Sequence, residues 1–316
     1  MSAIIAQVFT AATLAVILTK TAPLLLAAIG GAFTQQGNIL NIGLEGLMLI
    51  GAFAAIAVGA VTSPFVGILG AILAAVVLAL IFAVATLRFK ADFIVVGIGI
   101  NLLAAGLAVL LLTVFYGNAG VTPGNVKAIL PKIDLGAVGS VPILGPLLND
   151  KTVLVWLAFL VVPVYSYVLY RTPFGVHLRA VGEDESAAQA AGINVARIKF
   201  IAILLSGVLC GLAGAQLSMA TVGSFTAGMT ASRGFIALAA LTFGLGRPYF
   251  TMLACLIFGA ADALADRLAL AGVNSSLALT TPYVITIIAI VLAALRVRTA
   301  FKARSNKALA AAGVRA

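Results

Sequence analysis

Residues 93–116 read FIVVGIGINLLAAGLAVLLLTVFY, a run without one charged side chain. A helix needs about 20 apolar residues to cross the hydrocarbon of a bilayer, and this run supplies them. Residues 65–87 and 199–220 do so as well, so the solvent of this chain is lipid. Composition agrees: of 316 residues 63% are hydrophobic and 9% charged, against roughly 25% charged in a soluble domain. Mean hydropathy is +1.22. The long unbroken runs lack the short alternating segments of a barrel, so the fold class is an all-α integral membrane protein. Its 32 glycines let helices pack backbone to backbone.

The net charge of +10 would suggest nucleic acid on a soluble protein. Here its distribution over the loops carries the meaning, and no nucleic-acid partner is expected. Cys210 and Cys255 fall inside apolar runs, where thiols behave as small hydrophobes. His177 stands in a charged loop with no Cys or His cluster near it, so no metal and no cofactor is expected. The first basic residue, Lys20, follows the first apolar stretch, which argues against a cleaved signal peptide.

Cutting the chain at charged and Gly/Pro-rich breaks predicts about ten helices, at 3–19, 21–34, 42–60, 65–87, 93–116, 152–170, 199–220, 234–246, 249–269 and 281–296. Those at 21–34 and 234–246 are too short to cross alone and suggest interrupted helices. The expected organisation is a single permease domain over 1–298 with a basic cytoplasmic tail at 299–316. With both termini in the cytoplasm, 13 of the 19 basic residues face inward, including Arg88, Lys90, Arg171, Arg179 and the tail; Lys20, Lys127, Lys132, Lys151, Arg233 and Arg267 face out. The positive-inside rule favours that orientation.

Two segments outside the membrane are long. Residues 117–151, rich in Gly, Pro and Asn, face outward and are either a surface for a delivery protein or a connector. Residues 171–199 face the cytoplasm. There Glu183, Asp184 and Glu185 precede an alanine-rich stretch that stops at Gly192, which predicts a two-turn helix over about Asp184–Ala191. A helix that short needs a partner to hold it, and its small side chains permit close contact.

Four stretches carry a resemblance: GEDESAAQAAGINV at Gly182–Val195, GNILNIGLEGLMLIGAFAA at Gly37–Ala55, VVGIGINLLA at Val95–Ala104 and GFIALAALTFG at Gly234–Gly244. Together they resemble permeases of the branched-chain amino acid, ribose and nucleoside importer superfamily, nearest to its nucleoside branch. The resemblance implies the permease subunit of an ATP-driven (ABC) importer in a bacterial inner membrane, with ten helices. It implies as partners an ATPase subunit, a second homologous permease and an external solute-binding protein, often a lipoprotein. On it, Gly182–Val195 matches the loop that couples to the ATPase, so Glu183, Asp184, Glu185, Ala187, Ala188, Ala191 and Gly192 are coupling candidates. The chain has no G-x-x-x-x-G-K-[ST], so it is not expected to be the enzyme; ATP hydrolysis belongs to a separate subunit.

Gln35, Gln36, Asn38, Asn41 and Glu45 crowd where one apolar run breaks and another begins. Polar groups in lipid face the bundle interior or water, so Gln35, Asn38, Asn41 and Glu45, with Asn101 and Asp262 inside later runs, are candidates for contact with solute. The competing reading is that they satisfy broken backbone and cap helices. Gly46-Leu47 and Gly234-Phe235 open similar stretches running in opposite directions, the pattern of an inverted repeat, although so few small residues also match by chance. An ion-coupled secondary transporter using Glu45, Asp92, Asp262 and Asp266 is the alternative. A membrane enzyme would need clustered acids, and no loop has them.

Overall fold

The computed structural model describes residues 11–134, 149–270 and 284. It divides into two units, Met1–Ala260 and Ala261–Ala316; of the second, only the end of one helix and residue 284 are described. The described chain is mostly helical. Helix α1 covers Ala11–Gln36, α2 Leu44–Gly59 and α3 Pro64–Ala83, the last running into a π turn at Val84–Arg88. Helix α4 covers Phe93–Tyr116. After two short strands, β1 at Lys132–Ile133 and β2 at Lys151–Thr152, come α5 at Val153–Arg171, α6 at Pro173–Glu183 and α7 at Glu185–Ala190. Helix α8, Val195–Leu217, ends in a second π turn at Ser218–Val222, and α9 at Arg233–Phe243 and α10 at Pro248–Leu270 follow.

Six of these helices are long and apolar enough to cross a membrane: α1, α3, α4, α5, α8 and α10. Helices α2 and α9 are shorter; the 16 residues of α2 extend about 24 Å at 1.5 Å per residue, less than the ~30 Å hydrocarbon. The expected helices at 3–19 and 21–34 are corrected to one continuous α1. Lys20 and Pro23 lie inside it: a single cation breaks no backbone hydrogen bond, and the proline removes only one. The expected helix at 281–296 and the tail at 299–316 lie outside the described residues.

Local chemistry sets the ends. Asp92 caps α4 by accepting from the N–H of Ile94 at 2.9 Å and of Val95 at 3.1 Å, and Gly117 ends that helix in the left-handed conformation. Ser63 caps α3, with Pro64 in its first turn, where a missing N–H costs nothing. Helix α1 ends with Asn38 at φ 57° and a bond from Ile39 N–H back to the Thr34 carbonyl at 3.0 Å. That is the usual left-handed helix stop, a conformation asparagine tolerates.

The core of the first unit is α1, α2, α3 and α8, and glycine permits its close approach. A Cβ on Gly51 of α2 would stand 2.9 Å from the Cα of Gly211 on α8, and one on Gly211 2.7 Å from the carbonyl oxygen of Ala71 on α3. Without a hydrophobic drive between helices in lipid, such backbone contact supplies the attraction. The outer faces are apolar as well: Leu73 is 66% exposed, Leu102 70% and Val114 68%.

The segment 117–134 is docked against the chain that follows α8. Ala227 N–H donates to Gly120 O, Ala128 N–H to Gly223 O and Leu130 N–H to Met219 O. Strands β1 and β2 pair antiparallel, Lys132 opposite Thr152. At the other end of this unit, α1 stops against α6: a Cβ on Gly182 would run into the carbonyl oxygen of Gln36.

Candidate functional site

Two groups of side chains stand out, and the first lies where α2 and α9 begin. A helix start leaves backbone N–H groups without intrahelical partners and carries partial positive charge. Asn101, on α4, supplies both kinds of partner to α2: its side-chain oxygen accepts from Gly46 N–H at 2.8 Å and its amide donates to the Ile42 carbonyl at 3.0 Å. Glu45 supplies acceptors only, and to α9, taking the Ser232 N–H at 2.9 Å and the Gly234 N–H at 2.6 Å. Asn41, 2% exposed, accepts from Gly43 N–H at 3.0 Å and donates to the hydroxyl of Ser206 on α8 at 3.1 Å. Asn41, Glu45 and Asn101 are thus drawn together, each satisfying backbone.

The remaining candidates sit elsewhere. Gln35 and Gln36 end α1 near Gly246, where Gln36 Nε2 donates to the Gly246 carbonyl at 3.4 Å. Tyr165 Oη donates to that same carbonyl at 2.9 Å. The side-chain oxygen of Gln35 is buried and has no hydrogen-bond partner among the described residues. Asn38 is exposed at the same end. Asp262 belongs to the second unit, half-buried on α10. Sequence reasoning missed Ser206 and Tyr165, each of which stood out as a hydroxyl inside an apolar run. It missed Gln216 too, fully buried on α8, whose oxygen accepts from the Thr152 hydroxyl at 2.9 Å.

The second group is built on α6 and α7. Thr172 and Pro173 start α6 in a stretch expected to be loop. Asp184 then caps α7: its oxygen accepts from the hydroxyl of Ser186 at 2.6 Å and from the N–H of Ser186 and Ala187 at 2.9 and 3.0 Å. Those bonds, the hydroxyl first, hold its carboxyl below the usual carboxylate range. Gly192 follows at φ 82°, the left-handed conformation expected just past the helix. Glu183, Glu185, Ala187 and Ala191 are exposed. Ala188 is not: it is 4% exposed and packs inward.

Beside α7 is a cleft of about 790 Å³. One wall is the turn after α3, with Thr86, Lys90 and Asp92; the other is Glu185, Gln189 and Asn194. Lys199 pairs with Glu185 at its base. Among the described residues no group of three or more His, Cys, Asp or Glu side chains is placed to hold a metal ion.

Comparison with known proteins matches residues 13–295 to the family described as branched-chain amino acid transport system, permease component. A nucleoside ABC transporter permease protein of Lactococcus lactis is 37% identical over 291 residues, 87% of this chain and 90% of that protein. A guanosine ABC transporter permease protein of Bacillus subtilis is 35% identical over 86% of this chain and 89% of its own length. A putative glucose ABC transporter permease protein of Haloferax volcanii is 33% identical over 77% of this chain and 74% of its own.

Proposed function

The chain belongs to the branched-chain amino acid transport permease family, and from that premise we propose that it is the multi-pass membrane permease of an ABC importer that carries nucleosides into the cell. The observation that carries the solute is the likeness to nucleoside and guanosine permeases over 86–87% of the chain. The glucose permease relative keeps sugars as the second solute class. Family membership sets aside the ion-coupled alternative.

The finer reading has several parts. The importer includes a separate ATPase, a second homologous permease and an external solute-binding lipoprotein, and it sits in a bacterial inner membrane. The permease domain spans 1–298 and contains about ten membrane helices, short ones included; 299–316 is a basic cytoplasmic tail. The face bearing Arg88, Lys90 and α6–α7 is cytoplasmic, as the basic residues support. The C-terminal tail is assigned there, whereas α1, a single helix that ends beside α6, begins on the opposite face. Helix α7 and its flanks, with Glu183, Asp184, Glu185, Ala187, Ala191 and Gly192, meet the ATPase, and Ala188 anchors the helix from behind. Solute passes the junction of α2 and α9, where Asn41, Glu45 and Asn101 hold the helix starts, and Gln35, Asn38 and Asp262 contribute along the route.

The test is uptake. Cells deleted for this chain should lose accumulation of labelled guanosine or another nucleoside and regain it on complementation, with ribose and glucose uptake unchanged. Unaltered nucleoside uptake in the deletion strain would sink the assignment. Isolation in mild detergent checks the partners, which should co-purify.

A further inference from the structure

Lys199 lies in the second turn of α8 and is 4% exposed, so its charge is held away from water. It pairs with Glu185, which lies on α7 and is itself 49% exposed at the side chain. The same ammonium stands 5.9 Å from the ring centroid of Phe93, the first residue of α4, within cation–π range. Its Cγ is 4.0 Å from where a Cβ on Gly37 would be, just past α1. One buried cation, itself on α8, therefore bridges α7 and the foot of α4, while its stem passes close to the chain just past α1. Elsewhere α7 and α4 are kept apart by the cleft of about 790 Å³, which Glu185, Phe93 and Lys199 all line. A buried charge that loses its partner is costly, so α7 cannot move away from Lys199 freely.

Helix α4 carries the contact further. Asn101 lies eight residues beyond Phe93, about 12 Å along the axis, and its amide holds Gly46 N–H and the Ile42 carbonyl at the start of α2. We infer that Lys199 is a positioning residue that fastens α7 to α4, so that a displacement of α7 is delivered through α4 and Asn101 to the junction of α2 and α9. This rests on the reading of α7 as the element that meets the ATPase.

The complete importer, reconstituted in proteoliposomes, reads the ratio of solute taken up to ATP hydrolysed. Lys199→Met and Glu185→Gln should each lower that ratio about 10-fold, within the range of ordinary coupling free energies. The double variant should be no worse than either single one, since both remove one interaction. Glu185→Gln alters an exposed residue and decides the matter if Lys199→Met fails to assemble. Ala187→Trp, on the exposed face of α7, tests the underlying reading separately. An unchanged ratio in Glu185→Gln, with Ala187→Trp uncoupled, overturns the role of Lys199 and leaves α7 as the coupling element. An unchanged ratio in Ala187→Trp as well overturns both.

Discussion

Glu45 and Gly234, 189 residues apart in the chain, are joined by a 2.6 Å bond from the Gly234 N–H to the Glu45 carboxylate. The other carboxylate oxygen takes the N–H of Ser232, which sits at φ 64° after Ala231 at φ 44°. A side chain from one short helix therefore holds the start of another at a turn few residues adopt. Hydrogen bonds to charged groups contribute about 1.5–3 kcal/mol. Glu45→Ala should lower the thermal unfolding midpoint of the detergent-solubilised complex and impair uptake. Glu45→Gln, which keeps one acceptor, should lower the midpoint less and still slow uptake with the complex assembled; an Ala variant as stable as the parent would remove Glu45 from this role.

Gly234 has no room for a side chain, since a Cβ there would stand 2.5 Å from both the Cα and the N of Glu45. Gly234→Ala should therefore push α9 off α2 and abolish uptake. Gly106→Ala, in α4 with nothing within 4 Å of the added carbon, should be silent or stabilising by up to about 1 kcal/mol through helix propensity. Equal uptake by the two variants would show that the α2–α9 contact is dispensable.

On α7 and its flanks, Glu185 apart, shape should outweigh charge. Ala187→Trp places bulk on the exposed face, and Gly192→Val forces a β-branched residue to φ 82°, where only glycine is comfortable. Both should abolish uptake, with the remaining ATP hydrolysis no longer responding to the loaded binding protein. Glu183→Gln should be mild, because exposed ion pairs are worth only about 0–1 kcal/mol. Normal uptake in Ala187→Trp would exclude α7 as the coupling element.

Asp184 gives α7 a pH dependence with a definite sign. Its folded-state carboxyl titrates below the usual range, so its contribution is complete above the unfolded value, near 3.9, and is lost as pH falls through the lower folded value. The protection of amides 185–190, measured relative to their intrinsic exchange rate at each pH, should therefore fall under acid conditions. Asp184→Asn keeps a capping oxygen without a proton to gain, and its exchange should lack that acid step. The same acid step in Asp184→Asn would assign it to another group.

Orientation is open to labelling. With Cys210 and Cys255 replaced, single cysteines at Asn125 and Asn149 should react with an impermeant thiol reagent added outside, and one at Gln189 should not. The reverse pattern would invert the assigned faces.

The long helices were legible because twenty uncharged residues admit one structure in lipid, and short α9 because its run is bounded by Arg233 and by Gly244-Leu245-Gly246. The polar break and the glycine that stops α7 were legible for similar local reasons. What failed was also physical. Lys20 looks like a boundary, yet a helix tolerates a single cation. Residues 172–174, Thr-Pro-Phe, carry a helix-start signature that the charges around it obscured, hiding α6. The inward face of α7 at Ala188 was hidden as well, because six residues, half of them alanine, show no face to read. The partners of Asn41 and Tyr165 lie 165 and 81 residues away, a distance no local pattern spans.

The glycine-lined contact among α2, α3 and α8 bears on which parts can shift during a transport cycle. Backbone pressed on backbone has no rotamers to rearrange, so sliding one helix past another would bring Cα atoms and carbonyl oxygens into collision. Those three helices are suited to shift only as one body, with α7 fastened to it through Lys199 on α8. Displacement within the unit is then easiest where the joints are replaceable hydrogen bonds, as between that body and α9.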